Sequence, residues 1–120
     1  MACGPRRHRS GLVQRISREV GPVTTEEFPY GLFLWRDGPS GHLQLDYAGD
    51  SANIEIPYRY PGQEAQPIMA EAYRIARMVE QESGLEGYDY EVDQPVRTGD
   101  SDVAAVKLGG IARWAQENLT

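Results

Sequence analysis

Between Tyr30 and Tyr60 apolar and polar residues alternate in three short stretches, and each stretch ends in turn chemistry. Tyr30 to Arg36 runs into Asp37-Gly38-Pro39-Ser40-Gly41, His42 to Ala48 into Gly49-Asp50-Ser51-Ala52, and Asn53 to Tyr60 into Pro61-Gly62. A period of two sends successive side chains to opposite faces, and clusters of Gly, Pro, Asp and Ser reverse the chain, so these are hairpin signals. The loop lengths suggest a register. Setting Arg36 opposite His42 pairs Trp35 with Leu43 and Phe33 with Leu45. Setting Ala48 opposite Asn53 pairs Tyr47 with Ile54, Leu45 with Ile56 and Leu43 with Tyr58. All these pairs are apolar, and a slip of one residue would move a strand's whole apolar set to the other face.

Flanking elements complete an α+β reading. Gln66 to Ser83 has Ile68, Ala72, Ile75, Ala76 and Val79 on one helical face, with Pro67 suited to the first turn and Gly84 to the stop. Tyr88-Asp89-Tyr90-Glu91-Val92-Asp93 alternates and reads as a fourth strand, with Tyr88 and Tyr90 facing inward alongside Tyr47 and Tyr58. Trp35 and Trp114 are likewise expected in the core. Asp100, Ser101 and Asp102 are capping residues for a last helix to Leu119. Gly109-Gly110 interrupts that helix at about 1 kcal/mol each. The alternative there is a strand from Val103 to Leu108, a Gly-Gly turn and a short helix. The expected architecture is an antiparallel β-meander of three to four strands with two helices packed mainly on one face.

A length of 120 residues fits one domain, and 40% hydrophobic residues can fill one modest core. One cysteine, Cys3, excludes an internal disulfide framework and a cysteine-based zinc knuckle. The formal charge of −6 excludes a generally basic nucleic-acid binder and conceals an asymmetry. Residues 1–18 hold Arg6, Arg7, Arg9, Arg15 and Arg18 and no acid, leaving 7 basic and 18 acidic groups, a net of −11, on the rest. Residues 1–22 therefore read as a basic, flexible leader on an acidic domain spanning 23–120. Three other readings of the first 20 residues stay open: an organellar presequence with Leu12, Ile16 and Val20 as its stripe, an arm for anionic surfaces, and an upstream start that adds untranslated residues. A secretory signal lacks its apolar segment here, so the expected location is cytoplasmic.

The register also assigns the outer face of the sheet. Arg36, His42 and Arg59 form a basic row, Asp46 and Glu55 an acidic row, with Leu32 and Leu34 between them. The basic row suits an anion subsite with His42 as base or hydrogen-bond partner, its flanking arginines favouring neutral imidazole. Solvated or diagonally paired surface charge is the plainer account of the same residues. Asp46 opposite Glu55 is a like-charge pair that a cation or a basic partner would relieve. No DxDxDG-type loop supports a metal, and no cofactor motif is present. No GxSxG elbow, P-loop, GxGxxG or HExxH occurs, and the only histidines are His8 and His42.

The expectation is therefore a small acidic interaction protein of the inhibitor type, without catalytic residues, acting on a basic macromolecular partner. A protein partner fits this; nucleic acid would enter only through the basic leader, and self-association through Leu32 and Leu34 is a further option. The alternative is a small enzyme or ligand-binding domain for an anionic small molecule centred on Arg36, His42 and Arg59.

Overall fold

In the computed structural model residues 5–48, 51–57 and 60–118 are described, with side chains over 11–48, 51–57 and 60–110. Helix α1 (Pro5–Glu19) leads into strands β1 (Thr24–Phe28), β2 (Gly31–Gly38), β3 (Gly41–Tyr47) and β4 (Ala52–Glu55). A single 3-10 turn (Gly62–Glu64) opens helix α2 (Ala65–Ser83). A two-residue ladder of β5 (Tyr88–Asp89) with β6 (Gln94–Pro95) precedes helix α3 (Ser101–Asn118). The main sheet is an antiparallel meander in the order β1-β2-β3-β4, and the helices that touch it, α1 and α2, meet β2, β3 and β4. The fold is thus α+β, and among the described residues no helix is long and apolar enough to cross a membrane.

The core lies between the sheet and α2. Leu32, Leu34, Leu43, Leu45 and Tyr47 from the sheet pack with Ile68, Ala72, Ile75, Met78 and Val79 from α2. Gly84, in the left-handed region at φ 80°, ends α2, and its N–H bonds back to the Glu80 carbonyl. Asp100 starts α3, its Oδ1 accepting the Asp102 N–H at 2.8 Å. Gly109 keeps α3 in contact with the 3-10 turn: a Cβ there would stand 2.7 Å from the Gly62 carbonyl oxygen. The interruption expected at Gly109-Gly110 is therefore a close helix-to-turn approach inside a continuous helix.

The basic N-terminal segment does more than trail from the domain. Leu12 and Ile16 of α1 are fully buried in the core, and Val13 and Val20 pack on its margin. Arg15 bonds Glu19 one turn on, Nε to Oε2 at 3.0 Å, and reaches Glu82 of α2 at 3.4 Å. The Arg15 hydrogen bond holds the Glu19 carboxyl below its ordinary carboxylate range. The flexible leader expected over 1–22 is corrected by these contacts over residues 11–20. The stripe of Leu12, Ile16 and Val20 buries apolar area, worth about 1.5–3 kcal/mol for a fully buried Leu or Ile.

Both hairpins differ in register from the sequence reading. Gly38 pairs with Gly41 around the two-residue turn Pro39-Ser40, so Arg36 faces Leu43, Trp35 faces Gln44 and Leu34 faces Leu45. The one-residue slip turns β2 over. Leu32, Leu34 and Arg36 point to the helices, while Phe33, Trp35 and Asp37 point to the open side. Apolar matching could not decide this, because Leu-x-Leu and Phe-x-Trp make both faces of β2 apolar. In the second hairpin Ala48 N–H bonds Ser51 O at 2.9 Å, and Leu45 faces Ile54. That shift is two residues, so Ile54 keeps its expected side. The like-charge pair is dissolved: Asp46 faces Asn53, and Glu55 faces Gln44.

Two more elements depart from expectation. Strand β1 adds a fourth member to the meander ahead of Tyr30, joined to β2 by a turn at Pro29-Tyr30. The alternating run from Tyr88 does not join the sheet; it forms the β5–β6 ladder, with the Tyr88 and Tyr90 rings tilted against each other at 4.9 Å and Tyr90 83% exposed. This segment is tied to α2. Tyr73 Oη donates to Asp89 Oδ2 at 2.5 Å and accepts from Gln94 Nε2 at 2.7 Å. Arg77 donates to the carbonyls of Val96 and Gly99 at 3.1 and 3.0 Å. Tyr47 is buried as expected; Tyr58 and the side chain of Trp114 lie outside the described residues.

Candidate interaction face

With α1 and α2 on one side of the sheet, the other side is built, among the described residues, by β1 to β4. Its residues follow from the register: Glu26 and Phe28 on β1, Phe33, Trp35 and Asp37 on β2, His42, Gln44 and Asp46 on β3, Asn53 and Glu55 on β4. Aromatic rings run across β1 and β2. Phe28 meets Phe33 edge-on at 5.1 Å, Phe33 meets Trp35 edge-on at 5.9 Å, and Tyr30 stacks on Phe28 at 5.9 Å. Such edge-to-face pairs contribute about 0.5–1.5 kcal/mol beyond their buried area. This ladder holds Phe33 and Trp35 half-buried on the open side.

A polar chain continues the face. Trp35 Nε1–H donates to Gln44 Oε1 at 2.9 Å, and Gln44 Nε2 donates to Asp46 Oδ1 at 2.8 Å. One carboxylate oxygen of Asp46 is thereby fixed beside an indole. Asn53 Nδ2 donates to Glu55 Oε1 at 3.3 Å. Glu26, Asp37 and Glu55 are exposed and Asp46 half-exposed. Among the described residues none on this face is Lys or Arg. The Tyr73 phenol lies elsewhere, on α2: burial first, and the hydrogen bond to Asp89 second, push it up to about 12.

The residues read as a basic row are not brought together. Arg36 points to the helix side, is 6% exposed, and sits 3.1 Å from Glu71 of α2, Nε to Oε2. That N–H is not aligned on the carboxylate, so the contact is an ion pair rather than a directed hydrogen bond. Its other nitrogens donate to Pro22 O at 3.0 Å and Val20 O at 3.3 Å. A Cβ at Gly21 or Gly38 would collide with the guanidinium at 2.5 or 2.7 Å, so two glycines shape its berth. Arg36 is thus a structural cation between sheet and helix. His42 stands on the opposite side, its Nδ1 2.7 Å from Asp37 Oδ1, while its backbone N–H donates to Tyr60 Oη at 2.6 Å. Arg59 lies outside the described residues. Leu32 and Leu34, expected on the open face, are buried on the other.

Of the acidic row, Asp46 and Glu55 do share the open face, now as diagonal neighbours across β3 and β4. Sequence reasoning missed Glu26, Phe28, Phe33 and Trp35 as members of this face, while Gln44 keeps the outward side its alternation with Leu43 and Leu45 gives it. The available signals were the β-branched run Val23-Thr24-Thr25 ahead of Phe28, and the two tight glycines flanking Pro39-Ser40. Among the described residues no group of three or more His, Cys, Asp or Glu is placed to hold a metal ion. What the geometry defines is a class: an α+β meander with helices on one face and an aromatic, carboxylate-bearing face left open. Set against protein-family models, curated proteins and solved structures, the chain finds no match in any of the three.

Proposed function

We propose that this is a non-catalytic interaction protein whose open sheet face receives a basic macromolecular partner. The observation that carries the reading is the make-up of that face: Glu26, Asp37, Asp46 and Glu55 beside a half-exposed Phe33-Trp35 strip, with no Lys or Arg among its described residues. A carboxylate meeting an ammonium at 4 Å gains only about 1 kcal/mol in bulk water and about 4 kcal/mol near a protein surface. Such charges chiefly steer encounter and select the sign of the partner. The aromatic strip supplies what charge does not, namely rigid apolar area and ring faces that attract Lys or Arg by cation–π contact. The net of −11 on residues 19–120 points the same way. The anion-binding alternative loses its geometric support, because Arg36 is engaged by Glu71 on the side of the sheet away from His42.

Titration with octalysine, followed by indole fluorescence and calorimetry, tests this. Binding is expected to weaken with salt and to be lost in the triple variant Glu26→Gln, Asp46→Asn, Glu55→Gln, whose melting temperature stays near that of the parent. Unchanged octalysine binding by the folded triple variant would sink the reading. Preferential binding of octaglutamate would restore the anion alternative.

A further inference from the structure

We propose that the free edge of β4, with the groove beside it, takes an extended partner segment as an added antiparallel strand, its apolar residues alternating with Lys or Arg. The proposal rests on the reading above for the sign of the partner's charge, and the strand geometry is its own. β4 is the last strand of the sheet, and among the described residues nothing pairs with its outer edge. The Ala48–Ser51 bond marks a closely bonded pair, and such pairs alternate along an antiparallel ladder. Asn53 and Glu55 therefore turn their backbone groups toward β3. Ala52 and Ile54 turn theirs outward, where a new strand would find them.

What lies next to that edge differs from the surroundings of β1, the other edge. On the helix side β1 presents Glu27, a charge where an added strand would place an apolar side chain. Inward charges of this kind are a common way of blocking edge pairing. β4 presents Ile54 at the equivalent place. Beyond it opens a groove of about 840 Å³ between β4, α2 and the segment before α3. Ile54, Ile56, Met69, Ala72, Ala76 and Val79 give it apolar walls. Its charged lining is one-sided: Glu55, Glu80, Glu86, Asp89 and Glu91 against Lys107.

A strand laid along β4 must put alternate side chains on opposite faces. One set falls into the groove beside Ile54; the other stands over Asn53 and Glu55 on the acidic open face. The first set suits Val, Ile or Leu, and the second suits Lys or Arg. The occupant thus defined is an extended basic-apolar segment of another protein, and it joins the groove and the open face into one binding surface.

The test uses the full chain and the labelled peptide Lys-Val-Lys-Ile-Lys-Val-Lys, read by fluorescence anisotropy. The order-scrambled Lys-Lys-Lys-Lys-Val-Ile-Val and the Glu-for-Lys version are expected to bind roughly tenfold weaker or worse. Ala52→Pro removes an outward N–H while leaving the β3 pairing, and is expected to weaken the alternating peptide by a similar factor. A second arm needs no protein variant: N-methylating the Val and Ile nitrogens of the peptide should abolish binding, and N-methylating its Lys nitrogens should not. Amide exchange should slow at Ala52 and Ile54 when peptide is bound. Equal binding of ordered and scrambled peptides, or indifference to both backbone blocks, overturns the added strand and leaves the charge reading standing. No binding of any lysine peptide overturns both. A dimer by light scattering that Ala52→Pro dissolves would assign the edge to a second copy and overturn the proposal as well.

Discussion

On the helix side of the sheet the cation Arg36 is 6% exposed and enclosed by Glu71, two backbone carbonyls and two glycines. On the open side Glu26, Asp37, Asp46 and Glu55 stand among water-facing residues with only side-chain amides, an indole and one imidazole for company. Burying a charge costs several kcal/mol unless partners replace the lost water, so a buried cation comes with its neighbours already arranged. An exposed carboxylate carries no such requirement and stays available. The same sheet therefore holds a cation enclosed by fixed partners and carboxylates that keep contact with water. The sign of the net charge says little; the burial of each charge says what it is for.

The largest expected effect breaks the buried side of this comparison. Glu71→Ala leaves Arg36 unneutralised in the interior and should cost about 4 kcal/mol of unfolding free energy, measured by urea denaturation. The paired change Arg36→Met with Glu71→Leu should recover most of it; failure to recover would mean the berth needs the ion pair itself. Next in size is the contrast between neighbours on β2. Leu34→Ala, fully buried, should cost about 3 kcal/mol through the cavity it leaves. Phe33→Ala, half-buried on the open face, should cost clearly less. Equal losses would mean that the two faces of β2 are not distinguished as described.

The smallest effect extends the comparison to a neutral polar group. Tyr73→Phe removes a donor to Asp89 and an acceptor for Gln94, an expected loss of about 1 kcal/mol at neutral pH. Its pH dependence has a definite sign. The folded-state phenol is pushed up from 10.0 to about 12, so its contribution is complete below pH 10 and is lost as the pH rises toward 12. The parent should therefore lose stability over that window more steeply than Tyr73→Phe, and parallel slopes would show that the phenol is not held in its protonated form.

What could be read from the chain alone divides by physical cause. α2 was legible to within a residue because Ile68, Ala72, Ile75 and Val79 repeat at helical spacing and Gly84 supplies a left-handed stop. The cap at Asp100 was legible for the same local reason. The open face was only half legible. Asp46 and Glu55 kept their side because the second hairpin moved by two residues, whereas Arg36 changed sides because the first moved by one. Parity in a hairpin is set by its turn, and Gly38-Pro39-Ser40-Gly41 allows a tighter turn than the five-residue loop its composition suggests. Tyr88 to Asp93 alternates well enough for a strand, but Asp93 adopts φ 50° and the run folds back on itself. The stripe of Leu12, Ile16 and Val20 on α1 was legible, but its docking was not, because its partner on α2 lies far along the chain.

That docking sets a delay during synthesis. Arg15 and its partner Glu82 are 67 residues apart, and at a usual pace of 5–20 residues per second the ribosome needs roughly 3–13 s to make the stretch between them. Throughout that interval Leu12 and Ile16, and Leu32 and Leu34 once the meander has emerged, lack the α2 residues of their shared core. The nascent chain thus displays these apolar surfaces for seconds before α2 can close over them.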